Sequence, residues 1–398
     1  VWTDVNNDTH VDLVIATGGN EYYDGDEHLL PLLYLNDGKG NLIRKPDAFK
    51  NIDVTQTVIR SFDFNKDGFT DLFIGGRTLP WNYGALPRSY LLQNDGKGNF
   101  TDVTSKYGSE LVQPGMVTDA QLIDINKDNA QDILLSYEWG GIDVFIREGN
   151  QFKKQTITAQ YGWWSSTLAF DADSDGDLDI LATNLGLNTK LKATAQQPVK
   201  LFYNDFDGNG RKEQVLTYYL QGKEIPFATK MDLEKQMPVL KKQVLYAADF
   251  ANASLKDLFG AEKLKQSQVL TASQFAHTLF INNKGVFEAR ELPWQTQLNN
   301  YRTSIVADVN HDQLPDVVLF GNYFDNHVQI GRQDGDFGTV LLNKGNGNFE
   351  YSAFSGFYDL KQVRKAKPVR IKNQTVWILA RNNMPALAVS LSSVNSRR

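Results

Sequence analysis

Short apolar runs recur along the chain, each directly behind a cluster of acidic residues. They are Leu13-Val14-Ile15, Leu72-Phe73-Ile74, Ile133-Leu134-Leu135, Ile180-Leu181-Ala182 and Val317-Val318-Leu319. Runs this short, made of β-formers and bounded by turn residues, read as buried strands. A second pattern alternates with the first. It reads Tyr34-Leu35-Asn36-Asp37-Gly38-Lys39-Gly40-Asn41-Leu42, returns over 92–100 and 342–349, and has degraded copies at 146–152 and 281–287. Its Asp-Gly and Asn-Gly steps supply the positive φ angles of tight hairpins. Each unit therefore reads strand, acidic loop, strand, long loop, strand, hairpin, strand, which is one four-stranded propeller blade. One stretch departs from this rhythm. Over about 229–266, Met231, Leu233, Met237, Leu240, Val244 and Leu245 recur at helical spacing, and Ser254-Leu-Lys-Asp257 resembles a capping box. We read it as a helical insertion that decorates one blade; a lid or docking element is the alternative.

Six acidic loops align. The first holds Asp4, Asn6, Asp8, His10 and Asp12; the second Asp63, Asn65, Asp67, Phe69 and Asp71; the third Asp124, Asn126, Asp128, Ala130 and Asp132. The fourth holds Asp171, Asp173, Asp175, Asp177 and Asp179; the fifth Asp205, Asp207, Asn209, Arg211 and Glu213; the sixth Asp308, Asn310, Asp312, Leu314 and Asp316. Positions 1, 3, 5 and 9 carry carboxylate or amide oxygens. Position 7 varies freely, as suits a ligand supplied by the backbone carbonyl. Calcium takes about 6–8 hard oxygen ligands, and a glycine or small residue near position 6 permits the sharp turn. These residues are candidate Ca²⁺ ligands, and their expected role is structural: an ion ties two strands together in the folded state alone.

The step from Asp171 to Asp205 is too short for a full blade, so Asp205–Glu213 reads as a second loop within the blade of Asp171–Asp179. The long step to Asp308 then holds one blade without an acidic loop, plus the insertion. A last unit lies at about 356–391, with its fourth strand expected from sequence upstream of Val1. The expected fold is all-β: a seven-bladed β-propeller over 1–398 with calcium-binding loops and a small helical insertion.

Composition narrows the chemistry. The 398 residues contain no cysteine, which excludes disulfides, thiolate metal sites and a cysteine nucleophile. The five histidines show no zinc spacing, and the net charge of −6 argues against a nucleic-acid partner. No run of about 18 apolar residues predicts a transmembrane helix. The acidic clusters are claimed by the metal pattern, and no nucleophile elbow or phosphate loop appears.

The loops after each inner strand repeat less. They are rich in glycine, amides, arginine and aromatics, a mixture that suits ligand recognition. Arg77, Trp81, Trp139, Asn184, Asn188 and Tyr323 are the candidate ligand residues. Arg60, Trp163, Trp164, Tyr301 and Arg302 lie on the strands entering the acidic loops, and only one tryptophan of the adjacent pair can face the core.

The acidic loops, apolar strands and NDGKGNF hairpins together resemble VCBS/FG-GAP repeats, the units of integrin-α-type β-propellers. Gly18–Tyr22, Gly75-Gly76-Arg77, Asn184–Asn188 and Ala380–Asn383 look more specifically like the VCBS-repeat proteins of Bacteroidota, similar to the cartilage acidic protein group. The resemblance implies a calcium-stabilised propeller in an exported bacterial protein at the cell surface, outside the cell or in the periplasm, with other domains of a longer chain as neighbours. The expected function is non-catalytic binding or scaffolding of a glycan or protein. The alternative is a polysaccharide lyase or hydrolase, for which Glu138 and Glu21 are the candidate acids.

Overall fold

A computed structural model describes residues 1–23, 25–50, 52, 54–353, 361–372 and 374–390. Among these residues, seven antiparallel sheets carry almost all of the regular structure, and the chain packs as two compact units.

The first unit is Val1–Gly162 with Leu191–Gln274. Its first sheet pairs Trp2–Thr3, Asp12–Ile15, Leu32–Asn36 and Leu42–Arg44 in chain order. The second pairs Thr55–Phe62, Asp71–Thr78, Tyr90–Asn94 and Phe100–Asp102 in the same way. The third contains Met116–Ile123, Asp132–Glu148 and Gln151–Trp163. A straight strand the length of Asp132–Glu148 would span about 50 Å. Yet the Arg147 amide donates to Asp132 Oδ1 at 2.7 Å. The run therefore doubles back, and it does so at Trp139, whose φ is 61°.

The second sheet shows why the strand runs are apolar without interruption. Leu72, Ile74, Tyr90 and Leu92 pack with Val14, Leu33 and Val5 of the first sheet. Phe73 and Leu91 point the other way, onto Val117, Ile133, Leu135 and Phe145 of the third. Successive side chains alternate between faces, and both faces are buried.

The remaining sheet of this unit corrects the reading of the fifth loop. Asp205–Glu213 does not share a sheet with Asp171–Asp179. It joins Val199–Asn204 to Glu213–Leu220, and Lys223–Pro226 and Gln268–Ala272 add the outer strands. The two strands flanking Asp171–Asp179 are instead completed by Thr278–Asn283 and Val286–Glu291. No loopless blade lies between Asp205 and Asp308: one sheet is inserted into the sequence of another. Short spacing misled because the fifth loop's sheet draws its last strand from beyond the helical stretch. That stretch forms five short helices between Lys230 and Gln266. Leu233, Met237, Leu240, Val244, Leu258 and Phe259 pack on Phe202, Phe206 and Val215 beside the fifth loop. Ser254 and Asp257 form the expected capping box.

The second unit is Trp163–Lys190 with Phe275–Arg398. It holds the Asp171 sheet, a sheet of Tyr301–Ala307, Asp316–Gly321, Thr339–Asn343 and Phe349–Ala353, and a sheet of Val363–Ile371, Gln374–Arg381 and Leu387–Ser390. Val317, Leu319 and Leu341 pack against the Asp171 sheet, while Val318, Phe320 and Val340 meet Val363, Trp377 and Leu379. Of the expected unit at 356–391, residues 356–360, 373 and 391 lie outside the described residues. Trp164 is buried edge-on to Phe280, and Trp163 is half-buried against Phe275.

Candidate metal centres and ligand surface

All six acidic loops have the same internal wiring, and it follows from residue type. The amide of position 6 donates to the carboxylate of position 1, at 2.8–3.1 Å throughout. The amide of position 7 donates to the side-chain oxygen of position 5, at 2.7–2.9 Å. Short Asp and Asn side chains make such turns readily. Positions 4 and 6 are both left-handed: φ is 60° at Asn7 and 72° at Thr9, and 60° at Lys66 and 88° at Gly68. The turn was expected near position 6 alone. Position 4 carries no shared residue type that signals this: Lys66, Lys127 and Ser174 do not favour positive φ, although Asn7, Gly208 and His311 do.

The acid at position 9 has a separate task. One oxygen accepts the amide of position 2, as in Val5 to Asp12 at 2.9 Å and Phe206 to Glu213 at 2.7 Å. In five loops the other accepts an amide from the next strand across, from Asn36, Asn94, Arg147, Asn282 or Asn343. These acids are buried, and burial pushes Asp71 up to about 7 and Asp132 and Asp179 up to about 6, against the lowering effect of the amides.

Two loops bring three carboxylates together. Asp171, Asp173 and Asp179 each place an oxygen within 4.8 Å of the others, as do Asp205, Asp207 and Glu213. Their all-oxygen donor set is chemically suited to a hard divalent cation. Where position 3 is asparagine, its amide nitrogen instead donates to the position 5 carboxylate, as at Asn6, Asn65, Asn126 and Asn310.

The hairpin asparagines are functional parts that sequence reasoning assigned only to turns. Asn94 Nδ2 donates to the Val5 carbonyl in the first sheet's loop at 2.8 Å and to Thr70 O at 2.9 Å. Asn343 does the same to Ala172 O at 2.8 Å and Pro315 O at 3.3 Å. Each thus staples its hairpin to the acidic loop of a neighbouring sheet. The signal was present in the internal repeat: asparagine opens the hairpin at 36, 94, 282 and 343.

The candidate ligand residues divide by unit and by exposure. In the first unit, Trp81 is 55% exposed, stacks on Tyr23 at 5.6 Å, and has a φ of 61°. Its amide is held by Asn20 Oδ1 at 3.0 Å. Arg77 is half-buried and ion-paired with Glu138. Trp139 is buried, and its Nε1 donates to the Tyr83 hydroxyl at 2.8 Å. Burial, and then the Glu138 charge, push the Tyr83 phenol up. Glu21 is exposed. In the second unit, Asn188 is exposed, and Tyr323 lies under Arg302 and Arg364, at 4.7 and 5.8 Å. Asn184 offers no surface. It is fully buried, and its Oδ1 accepts the Trp163 and Leu185 amides, so it positions its loop and is not itself open to a ligand. His277 holds the same loop, its Nδ1 accepting the Asn184 amide at 2.8 Å.

Residues 63–135 and 124–182 each match the FG-GAP-like repeat. No curated protein matches the chain in sequence. Among solved structures, BBS1N in complex with ARL6DN aligns over 99% of this chain and 92% of its own, at 10% identity and a TM-score of 0.37. The Vibrio cholerae biofilm matrix protein Bap1 aligns over 96% of this chain at 10% identity and a TM-score of 0.35, and an ancestral GH74 enzyme over 96% at 10% and 0.36. The chain spans 65% of the former and 49% of the latter.

Proposed function

We propose that this chain is a calcium-stabilised β-propeller, with its seven sheets as blades, that binds or scaffolds a glycan or protein partner and is not itself a catalyst. The reading places it outside the cytoplasm, at the cell surface or in the periplasm, as part of a longer exported chain. The observation that supports it is the shared amide-to-carboxylate wiring of six acidic loops, two of which bring the carboxylates of positions 1, 3 and 9 within 4.8 Å of one another. Positions 1, 3, 5 and 9 and the carbonyl of position 7 would hold the ion. Bound calcium would supply two positive charges where like charges otherwise oppose one another. The position 9 acid already links loop to strand, so order in the loop is passed to the sheet.

In the first unit, exposed Trp81 stacked on Tyr23 supports recognition by aromatic contacts; in the second, considered by itself, Asn188 and Tyr323 offer amide and aromatic groups. Glu138 is engaged by Arg77, which favours a positioning role over proton transfer.

Thermal unfolding in EDTA and in about 10 mM calcium tests the metal reading. For sites with Kd on the order of 10⁻⁴–10⁻³ M, each contributes about 1.4–2.7 kcal/mol by mass action. Identical melting temperatures in the two solutions would remove calcium from the account. Glycan-array binding with Trp81→Ala as control tests the ligand surface; unchanged binding would refute that surface.

A further inference from the structure

A cavity of about 230 Å³ lies at the reversal of Asp132–Glu148, lined by residues of the third sheet, the loop before it and Leu270 of the neighbouring sheet. It is separate from the acidic loops. Tyr137 is only 2% exposed and lines this cavity; its buried hydroxyl has the Asp143 carboxylate as its hydrogen-bonding neighbour, in a contact outside good geometry. A buried hydroxyl in that state is costly unless something completes it. Beside it stands the buried carboxylate of Asp143, which accepts from Lys154 Nζ at 2.9 Å and Thr156 Oγ1 at 2.8 Å. Glu138, on the same wall, is paired with Arg77. The walls are completed by Trp139 and by Tyr161, a residue 44% exposed. Gly141 makes the shape possible: a Cβ there would meet the Thr158 carbonyl at 2.0 Å.

Every charge at this cavity already has its opposite, so a cation or anion would have to break an ion pair to be recognised. What remains is hydroxyl, carboxylate lone pairs and aromatic surface. That set recognises a neutral polyol, with hydroxyls to the polar groups and a C–H face against a ring. The volume equals roughly eight waters of bulk liquid, enough for a single sugar ring. We propose that this cavity is a binding site for one neutral monosaccharide unit, oriented by Tyr137 and Asp143. The proposal shares the glycan class with the reading above but uses a different site.

The test is saturation-transfer NMR on the full chain in calcium, with a panel of neutral hexoses and N-acetylhexosamines, their uronic acids, and zwitterionic amino acids. At least one neutral sugar is expected to bind. Tyr137→Phe keeps the ring and should weaken binding about three- to tenfold, the effect of one neutral hydrogen bond. Ala159→Trp, on an exposed strand position lining the cavity, should abolish it. All of these measurements are made in a Trp81→Ala background, so that sugar held at the ligand surface proposed above does not contribute and the two readings fail separately; circular dichroism melts establish that each variant is folded. No neutral sugar bound at about 10 mM, binding that survives both cavity variants, or a preference for uronic or amino acids would overturn the assignment.

Discussion

His277 should make the second unit lose stability in acid. Its ring is fully buried: Nδ1 accepts the Asn184 amide at 2.8 Å and Nε2 donates to the Asn299 carbonyl at 2.9 Å. This wiring requires the neutral tautomer with its proton on Nε2. Burial lowers the pKa from 6.5 to about 4, partly offset by the Asn299 carbonyl. The unfolded chain therefore binds a proton between 6.5 and 4 that the folded chain refuses, and stability falls as pH falls through that window. From about pH 8 to about pH 5, the loss from this one group is about 2 kcal/mol. Asp336, pushed up to about 6 by burial, acts in the opposite sense, since its folded form takes up a proton more readily than its unfolded form. The measurement must therefore isolate the imidazole. His277→Gln retains an acceptor and a donor but cannot titrate. Urea unfolding of wild type and variant at both pH values gives a double difference, and the wild type's advantage should shrink by about 2 kcal/mol in acid. A direct NMR titration should place His277 near 4. Parallel stability curves, or a midpoint close to 6.5, would refute the assignment of a neutral, buried ring.

Three further outcomes follow from particular contacts. Asn343→Ala should cost about 3 kcal/mol in chemical denaturation, because it strands the Ala172 and Pro315 carbonyls and the Gly345 amide; a loss below about 0.5 kcal/mol would show that the staple is dispensable. Gly321→Ala should lower soluble yield and melting temperature sharply, since its Cβ would lie 2.0 Å from the Asn300 carbonyl; a wild-type melt would contradict that crowding. Asp173→Asn removes one of three clustered carboxylates and should weaken calcium at that loop about tenfold, or about 1.4 kcal/mol, by isothermal titration. An unaltered isotherm would place the ion elsewhere.

Much of the structure was legible in local sequence. The acidic loops, the strands that follow them, the hairpins and the capped helix at Ser254 all follow from contacts within a few residues. Their residue types dictate them: Asp and Asn close short turns, glycine opens left-handed positions, and β-formers behind them extend. The position 9 acid was legible as an oxygen donor but not as a strand-to-strand link, because its partner amide lies at Asn94 for Asp71 and at Asn282 for Asp179.

What only the tertiary structure decided is which strands share a sheet and which side chains reach a surface. Asp205–Glu213 follows Asp171–Asp179 closely in sequence, yet it heads a different sheet, because pairing depends on which edge is free in space. Asn184 and Trp81 occupy similar-looking loops, yet one is sealed among backbone amides and the other stands out to solvent. The Tyr137 cavity exists only because distant segments enclose it around a strand that doubles back. Residue type determines a turn within the reach of one side chain, whereas burial and sheet partnership depend on chain segments far apart in sequence.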